Sequence, residues 1–183
     1  MRCGFFSACL VLLIACPCTA IAEGIRIEHA ASKLVEDAYR LDATINFDFD
    51  GELLLALEKG VELNIEVQVR VKRGRKWLWD PVVAEERMKF RLQHHPLSND
   101  YIVTDLLNNV PHQFPSADAA IRHLGSISNH FLVDKDSIRD GPTYTGYLRA
   151  RLNIDLLPAP LQPAAYVSRE WRLQSPWYDW VIQ

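Results

Sequence analysis

The sequence predicts a mainly β protein, folded as an antiparallel β-sandwich or a strongly curved sheet with two short helices. Three observations favour this class. Polar and apolar residues alternate in several long segments, as they do in strands that bury one face. Short, turn-rich connections separate consecutive segments, which is typical of antiparallel pairing. The two helical patterns are each only about two turns long, so both helices need a sheet to pack against.

Six segments have the pattern of strands. In the segment at residues 39–50, the apolar positions begin with Tyr39 and Leu41. In the segment at residues 61–72, valines alternate with polar side chains. The next two strand segments follow this one after short turns, so residues 61–107 are predicted to form an antiparallel meander. The strands are expected at residues 24–29, 39–50, 61–72, 87–92, 101–107 and 144–155.

Two helices are predicted between these strands, at residues 52–59 and 117–124. Asp50 and Ser116 are suitable N-cap residues, because their side-chain oxygens can accept hydrogen bonds from the first free amides of a helix. A glycine follows each helix and is expected to end it. The proline-rich segment at residues 157–163 is predicted to be a stiff connector.

The length and composition favour one globular domain. The chain has 183 residues, a net charge of -3 and 49% hydrophobic residues. A chain of this size can bury one core but is short for two ordinary domains. Its isoelectric point near 6.1 argues against a general nucleic-acid binder.

The first 22 residues have the features of a secretory signal peptide. The apolar run over residues 5–14 is too short to span a bilayer, and Ala20-Ile21-Ala22 has the small-residue pattern that signal peptidase cuts. We expect cleavage between Ala22 and Glu23. Residues 23–183 would then form a single β-rich domain in the periplasm.

All four cysteines lie within this predicted signal, at positions 3, 9, 16 and 18. The mature chain would therefore contain no thiol, which excludes disulfides, cysteine nucleophiles and thiolate metal sites from it. A second route of processing stays open, because Leu13-Ile14-Ala15-Cys16 resembles a lipobox. Acylation of Cys16 would make the protein a membrane-anchored lipoprotein.

Catalytic and cofactor-binding motifs are missing from the sequence. It contains no G-x-S-x-G elbow, no P-loop and no dinucleotide fingerprint. His94 and His95 point to opposite faces of a strand, so they cannot share a metal ion. Asn46 to Gly51 matches the first half of an EF-hand loop, but Leu57 occupies the position of the bidentate glutamate. We predict no metal and no cofactor.

The meander is predicted to carry a basic face. Strand parity places its cations on one outward side, which could meet anionic lipid headgroups or an acidic protein partner. Alternatively, Glu62 and Glu66 neutralise them as cross-strand pairs on an ordinary solvated face. The candidate residues are Arg70, Lys72, Arg87, Lys89 and Arg91, joined by Arg149 and Arg151.

A candidate aromatic patch comprises Trp77, Trp79, Trp177 and Trp180. Exposed tryptophans are typical of interfaces. The alternative is that these side chains close the open ends of the core.

Four segments carry a resemblance to a known family: ALEKGVEL at residues 56–63, HPL at 95–97, LLPAPL at 156–161 and WRLQSPW at 171–177. Together they resemble a family of exported bacterial proteins, the domain of unknown function 4390, whose members are often named proline-rich signal peptide proteins. The resemblance spans nearly the whole mature chain and implies no catalytic residue. It implies an envelope accessory role, since the genes often lie beside a membrane sensor kinase of the nitrogen-response type.

These observations predict a non-enzymatic periplasmic interaction protein, accessory to a membrane-bound partner such as a sensor kinase. Its partner would be an envelope protein or an anionic membrane surface, and not nucleic acid. The alternative is a small-molecule or lipid carrier with a cavity between sheet and helices. A hydrolase with dispersed catalytic residues is a third hypothesis.

Overall fold

The computed structural model describes residues 24–49, 51–74, 80–139 and 141–182. Nine strands lie in these ranges: β1 Ile25–Val35, β2 Ala38–Phe47, β3 Leu63–Arg73, β4 Val82–His95, β5 Asp100–Asp105, β6 Val110–Phe114, β7 Ser126–Asp134, β8 Tyr144–Leu152 and β9 Tyr178–Ile182. Three α-helices accompany them: α1 Gly51–Glu58, α2 Ala117–Leu124 and α3 Gln162–Val167. Short 3-10 helices occupy Lys135–Ser137 and Ile154–Leu156.

The strands form two antiparallel sheets. One sheet has three strands in the order β1-β2-β7, and the other has six in the order β6-β5-β4-β3-β8-β9. Contacts join β1 of the small sheet to β8 and β9 of the large one. The Trp180 indole on β9 donates a hydrogen bond of 3.1 Å to Ser32 Oγ on β1. The predicted class, a mainly β sandwich or curved sheet, is confirmed.

The core lies on the apolar sides of the alternating strands. In β2 the inward set from Leu41 to Phe47 is buried, and in β3 the valines Val67 and Val71 are completely buried. The predicted assignment of alternate residues to the inward and outward faces is therefore correct for both strands. Each fully buried aliphatic side chain contributes about 1.5 to 3 kcal/mol of transfer free energy.

Both predicted helices are present, and local hydrogen bonds explain their ends. The Ser116 side chain accepts from the Ala119 amide at 3.3 Å, which caps α2 as expected. Gly60 adopts a φ of 87° after α1, with its amide bonded to the Leu57 carbonyl. This is the Schellman arrangement that ends a helix. The other predicted cap, Asp50, lies outside the described residues.

A third helix and three further strands were not predicted. Helix α3 begins inside the segment expected to be a stiff connector, and Pro163 stands in its first turn, where proline fits a helix. The additional strands are β6, β7 and β9. Within the described ranges, no helix is long and apolar enough to cross a membrane.

Candidate binding face on the six-stranded sheet

The structure places the seven predicted basic residues on the outward side of the large sheet. The strand register explains this arrangement: Gln68 on β3 lies between Arg87 on β4 and Arg149 on β8. Glu66 likewise lies between a lysine of β4 and an arginine of β8. We call this surface the basic face, defined by Arg70, Lys72, Arg87, Lys89, Arg91, Arg149 and Arg151.

The centre of the basic face is buried, which corrects one expectation. The outward row of β3 was expected to be solvated throughout, yet Asn64, Glu66 and Gln68 are only 3 to 5% exposed. Arg149 Nη2 donates to Gln68 Oε1 at 2.5 Å, and Arg151 Nη2 donates to Glu66 Oε2 at 3.0 Å. Long side chains from the neighbouring strand therefore cover this polar row, as arginine stems often do.

Carboxylates neutralise part of the basic face. Glu85 accepts hydrogen bonds from Arg87 and Arg70, both at 3.2 Å, and these bonds lower its pKa. Burial opposes ionisation of Glu66, but the hydrogen bond and charge of Arg151 outweigh burial and lower the Glu66 pKa. The cross-strand pairing considered from the sequence is thus present in part.

The pairing leaves an excess of positive charge. Against the seven cations stand Glu62, Glu66 and Glu85, and Asp179 lies on the neighbouring strand β9. Within the described ranges, Lys72, Lys89 and Arg149 form no ion pair with a carboxylate. Lys72 and Lys89 are the ones most available to an anionic partner, because Arg149 already donates to Gln68 and stacks on Trp177.

The cations of the basic face lie close enough together to affect the pKa of Arg149. Burial lowers the Arg149 pKa, and the positive charges of Arg151 and Arg70 lower it further. The guanidinium groups on this face therefore repel one another. An external anion would relieve that repulsion.

Aromatic side chains lie among the cations. The guanidinium carbons of Arg149 and Arg70 lie 4.4 Å and 5.1 Å from the Trp177 ring centroid, within cation–π range. Lys72 Nζ lies 4.8 Å from the Tyr147 centroid. Trp177 therefore belongs to the basic face, and Tyr147 is a member that the sequence analysis did not select. Its position on the strand opposite Arg70 could have indicated it.

The predicted aromatic patch does not form as one surface. Trp180 is only 9% exposed, and its ring packs over Gly146, where an added Cβ would come within 2.3 Å of the indole. Including it in an exposed patch was therefore wrong. Trp171 is also buried and donates to Glu52 Oε1 at 2.7 Å. The two remaining members, Trp77 and Trp79, lie outside the described residues.

Two pockets open on the basic face. The first has a volume of about 130 Å³ and is lined by Arg70, Lys72, Tyr147 and Trp177. The second, of about 360 Å³, is lined by Arg87, Lys89, Leu106 and Leu107. Among the described residues that line them, each pocket thus has an arginine and a lysine beside apolar or aromatic side chains, a lining suited to an anion on an aliphatic stem.

A family model described as Domain of unknown function (DUF4390) matches residues 22–181. The chain belongs to DUF4390. Searches of curated proteins and of solved structures gave no match. The DUF4390 match includes the whole basic face and confirms the resemblance drawn from the sequence motifs.

The remaining predictions for this DUF4390 chain concern its processing and metal binding. Ala22, Glu23 and Cys16, on which the processing predictions depend, lie outside the described residues. Among the described side chains, no group of three histidines or carboxylates could hold a metal ion. His94 instead contacts the Glu58 carbonyl and Asn99, and its ring packs beside Tyr101.

Proposed function

We propose that this DUF4390 protein is an exported, non-enzymatic binding protein of the bacterial envelope, and that its basic face holds an acidic segment of a protein partner. The observation that carries the proposal is the excess of cations on one face of a paired sheet. Seven basic side chains stand there against Glu66 and Glu85 on the central strands, Glu62 just before β3 and Asp179 on β9.

The chemistry of the face supports anion binding. Guanidinium groups recognise carboxylates through directed pairs of N–H donors. Stacking on Trp177 and bonding to Gln68 hold Arg149 in place before a partner arrives. A preorganised cation loses little side-chain entropy when the partner binds, which favours affinity.

A protein partner fits these contacts better than a lipid surface. The face already binds carboxylates of its own chain, since Glu85 bridges Arg70 and Arg87. The cations are also interspersed with Trp177 and Tyr147 in defined pockets, which suits individual side chains. A membrane would require only a diffuse positive surface potential.

Export and the accessory role complete the proposal. The signal-like first 22 residues support a periplasmic location, and the lipobox-like Cys16 supports the alternative of an anchored form. In either form the basic face would act beside the membrane. A membrane-bound partner such as a sensor kinase fits that location.

Charge reversal tests the proposed function. The variant with Arg70, Lys72, Lys89 and Arg91 all changed to glutamate is expected to lose at least about 100-fold of its affinity for an acidic envelope partner, since close charge pairs at interfaces are each worth more than about 1.5 kcal/mol. The measurement is quantitative capture from envelope extract at two salt concentrations. Circular dichroism verifies that the variant is folded.

A matched control carries the same change in net charge elsewhere. Its four changes, at Arg26, Lys59, Arg122 and Lys135, lie at exposed positions away from the basic face. This control is expected to capture the partner like the wild type. Equal losses in both variants, unchanged capture in the test variant, or capture only of anionic vesicles would contradict the proposal.

A further inference from the structure

Each of the two pockets of the basic face has one arginine and one lysine among its described lining residues, and one carboxylate joins the two arginines. Arg70 lines the first pocket and Arg87 lines the second. Glu85 accepts from both arginines at 3.2 Å. The paired strands therefore hold the two cation pairs, Arg70 with Lys72 and Arg87 with Lys89, at a fixed separation. One ligand that contacts both pockets would need such a fixed separation.

The register gives that separation. Arg70 and Lys72 project from β3 itself, whereas Arg87 and Lys89 on β4 lie opposite positions 68 and 66 of β3. The pocket centres are thus four strand positions apart along the sheet and one to two strands apart across it. With about 3.3 Å per residue and about 4.8 Å between strands, the distance is about 15 Å.

An extended peptide covers this distance in four or five residues, at about 3.3 Å per residue. We propose, building on the proposed function, that the partner presents one extended acidic segment with two carboxylate side chains four residues apart, a spacing that places both on the same face of the segment. One carboxylate enters the pocket of Lys72 and Trp177, and the other enters the pocket of Lys89 and Leu107.

The lining of each pocket fits a glutamate side chain. Its carboxylate meets a lysine and an arginine, while its methylene groups contact Trp177 and Tyr147 in one pocket and Leu106 and Leu107 in the other. Leu107 is largely exposed in the free protein, so covering it adds apolar burial to the charge contacts.

The spacing rule can be tested with two synthetic peptides of identical composition and charge. One peptide, Glu-Glu-Ser-Gly-Ser-Glu-Glu, places its glutamate pairs at the required distance. The other, Glu-Glu-Glu-Glu-Ser-Gly-Ser, places all four within about 10 Å, at about 3.3 Å per residue. Fluorescence anisotropy of labelled peptide is measured with the whole protein. We expect the spaced peptide to bind at least about tenfold more tightly, because two linked contacts act together.

Variants of one lysine in each pocket extend the test. Lys72→Met and Lys89→Met should each weaken binding of the spaced peptide to the level of the contiguous one, whereas Lys59→Met, at an exposed position just after α1, should change the affinity for neither peptide. Trp177→Phe should remove any change in intrinsic fluorescence on binding, which would place the peptide at the first pocket.

The outcomes separate this inference from the proposed function. Equal affinity for both peptides, together with its loss in the four-residue charge reversal, would overturn the two-pocket inference and retain an acidic partner. Binding of neither peptide would overturn both. Competition of the spaced peptide by millimolar inorganic phosphate, with no dependence on spacing, would indicate two independent anion sites and would also overturn the inference.

Discussion

Gly125→Ala is expected to lower the free energy of unfolding by about 3 kcal/mol, at the upper end of overpacking effects. Gly125 lies where the end of α2 meets β2, and its carbonyl accepts a hydrogen bond of 2.8 Å from the Ile45 amide. A Cβ at this position would lie 2.1 Å from the Ile45 carbonyl oxygen. Because that atom belongs to the backbone of a paired strand, it cannot rotate away. Urea unfolding followed by circular dichroism measures the change.

Gly51→Ala is the matched control for this substitution. Gly51 begins α1, and no atom lies within 4 Å of the Cβ that alanine would add there. Alanine favours helix over glycine by up to about 1 kcal/mol, so this variant should be as stable as the wild type or more stable. Wild-type stability of Gly125→Ala would show that α2 does not approach β2 as described.

Leu41→Ala is expected to cost about 3 to 4 kcal/mol of stability, because it removes buried volume and leaves a cavity. Leu41 is completely buried in β2, the central strand of the small sheet. Leu34→Ala on neighbouring β1 makes the same chemical change at a position that is 43% exposed, and should cost less than about 1 kcal/mol. Thermal or urea unfolding of both variants gives the comparison. Equal costs would contradict the assignment of the core to the inward face of β2.

Strand parity predicted the parts of the fold in which one face is buried and the other is polar. Even though arginines cover the polar row of β3, β2 and β3 both have this alternation in sequence, so their inward residues could be identified. β7 does not, because its pairing with β2 shifts register twice and its sequence lacks a regular alternation. β6 contains Pro111 and is mostly exposed at the edge of the sheet, so no buried face marks it.

The basic face was predictable for the same reason, since parity alone places its cations on one side. Its internal contacts were not predictable. Burial of Glu66 depends on the length of arginine side chains from a strand that is distant in sequence. Trp177 and Trp180 have different surroundings because β9 begins between them. Trp177 lies before β9 and contacts the basic face, whereas Trp180 lies within β9 and contacts β1.

Site-specific photocrosslinking in living cells tests the central claim most directly. A photoreactive residue at Thr145, which lies beside Lys72 on the large sheet, leaves all seven cations in place. The matched position is Thr44, an exposed residue of β2 on the small sheet. We predict that position 145 captures an acidic segment of an envelope protein and that position 44 does not, as shown by mass spectrometry of the crosslinked peptides. Capture of the same protein from position 44 alone, or of segments without acidic residues from position 145, would contradict the account.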